Sequence, residues 1–135
     1  MNQNSFVILG FIENLMFSTR VESVVESLGF KMEWMEQGDQ DSALSGENTL
    51  LNRIIQLAPV LILVDLGMGA ISWGTVIQQI KSTPSTKQIP VICFGSHMDA
   101  DTLKLARQAG ADEVVARSRF FSALPKLIQG HIPSK

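Results

Sequence analysis

The chain has 135 residues, 45% of them hydrophobic and 18% charged, a balance that excludes a disordered tail or a solvated coiled coil and fits one domain with its own core. Its 11 basic and 13 acidic residues leave a net charge of −2 with no long basic run, so neither nucleic acid nor an anionic membrane is expected as the main partner. A single cysteine, Cys93, rules out an internal disulfide and a cysteine-rich zinc site.

Residues 6–11 (FVILGF) form a continuous apolar run, the signature of a strand buried on both faces. The stretch around it carries no basic leader, and Glu13 and Asn14 interrupt its hydrophobicity. It therefore reads as neither a signal peptide nor a membrane span, and a cytoplasmic chain is expected. Val21, Val24, Val25 and Leu28 recur at helical spacing, with Gly29 as the stop. Residues 31–35 (KMEWM) alternate, as a half-covered edge strand does, and a polar loop rich in glycine and aspartate follows over 38–46. Leu50, Leu51, Ile54, Ile55 and Ala58 predict an amphipathic helix that halts before Pro59.

Residues 60–64 (VLILV) make the most apolar strand, ending at Asp65, with Gly67 and Gly69 in the turn beyond it. Ser72 is placed to cap a helix whose inward face is Val76, Ile77 and Ile80. Residues 81–88 are a polar connection, and 89–94 (IPVICF) a further buried strand with Pro90 near its start. Asp99 caps the next helix, Met98 staples against Leu103, and Gly110 ends it. Residues 113–116 (EVVA) are a fifth strand. A short last helix follows, with Leu124, Leu127 and Ile128 inward and Pro125 in its first turn.

Strands alternating with helices in this way predict a single α/β domain over residues 1–135, core about 6–129. Its flavodoxin-like, doubly wound parallel sheet has five strands in order 2-1-3-4-5, with two helices on one face and three on the other. The functional crevice of such a sheet lies beyond the carboxyl ends of its strands. Asp65 stands there. Burying an unpaired carboxylate costs several kcal/mol, so its placement asks for a reason. One reading is a cap for the following helix; the other is a nucleophile or a metal ligand, with Glu13 as companion and a backbone carbonyl from the Gly67 turn completing an oxygen set for Mg²⁺.

The segment VLILVDLGMG, the stretch IKSTPSTKQIPVICFGSH and the run AGADEVV together resemble the receiver domains of two-component response regulators, over roughly residues 6–129. The resemblance implies that Asp65 occupies the position that accepts a phosphoryl group. It also exposes departures. One carboxylate, Glu13, stands where the family has an acidic pair. Gly95 replaces the hydroxyl residue that ends the fourth strand, with Ser96 adjacent. Val114 replaces the aromatic switch residue, Arg117 the phosphate-contacting lysine, and Ser118 the proline after it. Arg117 and Ser96 are the candidate phosphate contacts; the fork of Arg117 allows bidentate contact with a carboxylate or phosphate, and its bland alternative is a salt bridge to Asp65 that locks one state. With Glu13, Asp65 and Gly67 as its weak metal set, Mg²⁺ is expected to bind poorly.

Other residues carry bland alternatives. His97 is read as a loop residue beside the crevice, His131 as part of the tail, Cys93 as an inert buried thiol, and Trp34 and Trp73 as half-buried packing. The expectation is a stand-alone, non-enzymatic signalling module. It would act through contacts with a histidine kinase, a phosphotransfer protein or an output protein, and pair with a second copy through the fourth-helix to fifth-helix face. Lys104, Arg107, Gln108, Glu113 and Arg119 are the exposed candidates on that face. A conventional phospho-accepting regulator is the first alternative. A small flavodoxin-like ligand-binding protein or enzyme is the second, against which stands the absence of a glycine-rich phosphate loop.

Overall fold

The computed structural model describes residues 6–11, 15–35, 49–67, 73–95 and 100–131. Expectations that fall on the 38–46 loop, Glu13, Gly69, Ser72, Ser96, His97, Met98 and Asp99 lie outside the described residues. The elements are β1 (Val7–Phe11), α1 (Leu15–Ser27), β2 (Lys31–Trp34), α2 (Thr49–Leu57), β3 (Leu61–Asp65), α3 (Trp73–Ser82), β4 (Val91–Gly95), α4 (Ala100–Ala109), β5 (Glu113–Ala116) and α5 (Arg117–His131). The five strands form one parallel sheet in order β2-β1-β3-β4-β5. Among the described residues, no helix is long and apolar enough to cross a membrane.

The unbroken apolar runs are explained by the two faces of the sheet. Side chains alternate along a strand, so consecutive residues of β1, β3 and β4 feed opposite cores. Leu9, Phe11, Ile62, Val64, Val91 and Cys93 point to an aliphatic side covered by α2, α3 and the end of α4. Ile8, Leu61, Leu63, Ile92 and Phe94 point to an aromatic side covered by α1 and α5. There Phe94 stacks on Phe120 at 4.3 Å between centroids, and Phe17 lies 5.0 Å from Phe94 and 4.9 Å from Phe121. Such pairs contribute about 0.5–1.5 kcal/mol each beyond the area they bury.

Two glycines are fixed by their surroundings. Gly10 pairs with Trp34 across β1 and β2, and a Cβ there would stand 2.5 Å from the indole ring and 2.6 Å from the Met32 methyl. Gly110 ends α4 at φ 118°, where a Cβ would meet Lys81 Cγ at 2.7 Å. Both positions admit only hydrogen.

Two helices depart from expectation. In α2, Leu50 and Ile54 are buried, but Ile55 is 47% exposed, and Ala58 lies past the helix in the left-handed region at φ 48°. The inward stripe runs instead through Leu57, which packs on the aliphatic core. The last helix is not short. It begins at Arg117, directly after β5, so Pro125 sits in its interior and not in its first turn. The buried stripe Phe120, Leu124 and Ile128 sets this earlier start, because Phe120 must reach Phe94.

Candidate functional site

Asp65 is the last residue of β3, two positions beyond Leu63 and four beyond Leu61, so it inherits their aromatic-side orientation. Its register partner on β4 is Phe94. The carboxylate is only 5% exposed, and it is paid attention by two donors. The amide of Gly67 donates to Oδ1 at 2.8 Å, closing a tight turn beyond the strand. Arg117 Nη2 donates to Oδ2 at 3.2 Å and to Oδ1 at 3.4 Å.

Arg117 reaches Asp65 because β5 ends at Ala116 and α5 starts at once, which puts the first helical side chain over the carboxyl end of the sheet. Its guanidinium stands over the Phe17 ring at 4.6 Å from the centroid. The contact with Asp65 is not the two-pronged fork expected of arginine. A single nitrogen serves both oxygens, and Nε is buried without a hydrogen-bond partner among the described residues. The ring of Phe17, presented by α1, lies against the guanidinium, whose second prong goes unused.

The remaining candidates divide cleanly. Gly95 is buried at the end of β4 beside Ala116 and brings no side chain to the carboxylate. Val114 pairs with Cys93 and packs on the aliphatic side, away from Asp65. Ser118 is exposed on α5. Gly67 meets Asp65 through its N–H. Among the described residues, no group of three or more His, Cys, Asp or Glu side chains converges. Among the described residues, one carboxylate facing a guanidinium and an amide N–H does not by itself make an oxygen set for a divalent cation, and Glu13 lies outside them.

Trp73 packs on the aliphatic core, and Trp34 donates from Nε1 to Glu22 Oε1 at 2.9 Å, so both do packing work. His131 Nε2 lies 3.4 Å from Glu113 Oε2. Cys93 is buried, and burial first, then the Asp112 charge, push its thiol up to about 12. Phe17 is the site residue that sequence reasoning missed. Its signal, an aromatic near the start of a helix, is the same as that of any core position.

No protein-family model matches the chain, and no curated protein matches it in sequence. Solved structures do match in shape. A chemotaxis protein from Vibrio cholerae superposes with a TM-score of 0.77 at 12% identity, covering 95% of this chain and 99% of that one. The signal receiver domain of a DNA-binding response regulator from Colwellia psychrerythraea 34H gives 0.77 at 21% identity, over 93% and 97% of the two chains. The Mn²⁺-bound form of the response regulator Rcp1 gives 0.69 at 21% identity, over 96% and 99%. The five-stranded order, the flanking helices and these superpositions together establish that this chain has the receiver fold of response regulators.

Proposed function

We propose that this protein is a receiver-like signalling module that acts through protein–protein contacts, with Asp65 as an atypical phosphoacceptor position. The observation that carries the reading is the Asp65–Arg117 pair: the carboxylate expected to accept a phosphoryl group is already neutralised by a resident guanidinium. An acyl phosphate there would need a metal to offset the incoming oxygens and a hydroxyl to hold the product. Gly95 offers no hydroxyl, and the described donors do not suit a divalent cation.

The surface that such a module presents is α4, β5 and α5, where Lys104, Arg107, Gln108, Glu113 and Arg119 are all exposed. An open groove of about 430 Å³ runs along α4 between Ala100 and Gln108. The groove's charges, Lys104 and Arg107, are both cationic, and Glu113 on β5 supplies the opposite sign on the same face. That mixture suits a self-complementary contact with a second copy, or a kinase, phosphotransfer or output protein. Incubation with acetyl phosphate and Mg²⁺, read by intact-mass spectrometry, tests the reading: the mass is expected to stay unchanged. A gain of one phosphoryl group in the native protein, absent from Asp65→Ala, would restore the conventional phospho-accepting regulator. That second reading draws support from the presence of Asp65 itself and from the Mn²⁺-bound neighbour.

A further inference from the structure

The carboxylate of Asp65 sits in a surrounding that differs on its two sides. Toward β4 stands Gly95, which brings no side chain to it, and Val114 of β5 faces the other side of the sheet. Toward α1 and α5 the contacts are continuous. Arg117 bonds both carboxylate oxygens and lies over Phe17, and Phe17 meets Phe121 edge-on at 4.9 Å. Arg20 closes the stack at the surface, 4.0 Å from the Phe121 centroid. Cation, ring, ring and cation thus run from the buried carboxylate to the outside, alternating between α5 and α1 and ending on α1.

We propose that Asp65 communicates with α5 through Arg117 and Phe17, along the aromatic side of the sheet, with Phe17 as the positioning residue that holds the guanidinium on the carboxylate. The inference rests on reading Asp65 as the signalling carboxylate and deepens it by naming the route. Three features make the route physical. Arg117 is the first residue of α5, so any change in its partner acts on the helix directly. Its Nε has no bond among the described residues, so the guanidinium is held there by one nitrogen and one ring, and losing either contact loosens it. Phe17 touches Phe94, Phe120 and Phe121, and a shift of its ring is felt by the packing of both helices.

The test is amide hydrogen exchange on the full chain, arranged as a cycle between Asp65 and Phe17. Asp65→Asn is expected to speed exchange of residues 121–124 by about threefold and to leave α2 and α3 unchanged. In a Phe17→Leu background that response to Asp65→Asn should vanish, and in Phe17→Tyr, which keeps the ring, it should persist. Arg117→Gln, which leaves the ring in place, should also abolish it. A merely structural role for Phe17 would loosen the helix but leave the dependence on Asp65 intact, and that outcome overturns the proposal. So does a response centred on α4 with α5 unmoved. The exchange cycle uses no phosphoryl donor, so phosphorylation of the native protein would revise the reading of Asp65 without deciding this route.

Discussion

Two ion pairs stand at opposite ends of the sheet, and they are built to different standards. At the amino end, Lys81 bonds Asp112 Oδ2 at 2.8 Å, the Ile89 carbonyl at 2.7 Å and the Lys87 carbonyl at 3.2 Å, so each of its three protons has an acceptor. Asp112 Oδ2 also accepts from the Val91 amide at 2.8 Å, while the Asp112 amide donates to the Val91 carbonyl at 2.8 Å. At the carboxyl end, Arg117 commits one nitrogen to Asp65 and leaves Nε without a partner among the described residues. A saturated pair has one arrangement and serves architecture. An unsaturated pair leaves a donor uncommitted, as the proposed signalling role of Asp65 calls for.

The comparison is broken most easily at the amino end. Gly110→Ala puts a side chain at φ 118° and against Lys81, and should cost about 2–3 kcal/mol in urea unfolding. A loss below about 0.5 kcal/mol would mean that the Lys81 clasp yields freely, against the standard claimed for it. Lys81→Met strips two carbonyls and a carboxylate of their donor and is expected to cost about 2 kcal/mol.

A smaller effect comes from the burial of the Cys93 thiol, to which the Asp112 charge adds. The thiol ionises ordinarily near 9.0 and is raised to about 12 in the fold, by burial and then by Asp112. Below pH 9 both folded and unfolded chains keep the proton, and the contribution is fully present. Between pH 9 and 12 only the unfolded chain ionises, so stability falls as pH rises. Unfolding at pH 10 should be about 1 kcal/mol easier than at pH 8 on this account, and Cys93→Ala should remove that part of the slope. The smallest effect is expected at the carboxyl end. Asp65→Asn keeps an acceptor for Gly67 and releases a guanidinium that is already one-third exposed, so stability should change by less than about 1 kcal/mol. A loss comparable to that of Lys81→Met would erase the distinction between the two ends.

The sheet was legible because strands buried on both faces leave uninterrupted runs, and Asp65 was legible because it ends the most apolar of them. The start of α5 was hidden by Pro125, which reads as a first-turn residue when helices are located from their prolines. Phe120, Leu124 and Ile128 at spacings of four carry the correct signal. The fork expected of Arg117 failed for a different reason. Its guanidinium lies against Phe17, a hundred residues earlier in the chain, and no local pattern announces a contact of that separation. The Lys81–Asp112 clasp was missed on the same ground, since a lysine ending one helix and an aspartate before a strand are each ordinary alone.

The flush junction of β5 and α5 has a mechanical consequence. Fifteen residues at about 1.5 Å each make α5 a rod roughly 22 Å long, pivoted at the residue that touches Asp65. A tilt of about 5° at that pivot displaces the far end by about 2 Å over such a length. His131 rides on that end, within 3.4 Å of Glu113 on β5, so a motion too small to notice at the carboxylate becomes the making or losing of a contact at the opposite rim. In the proposed route the helix would serve as a lever arm, its short end at Asp65 and its long end at His131.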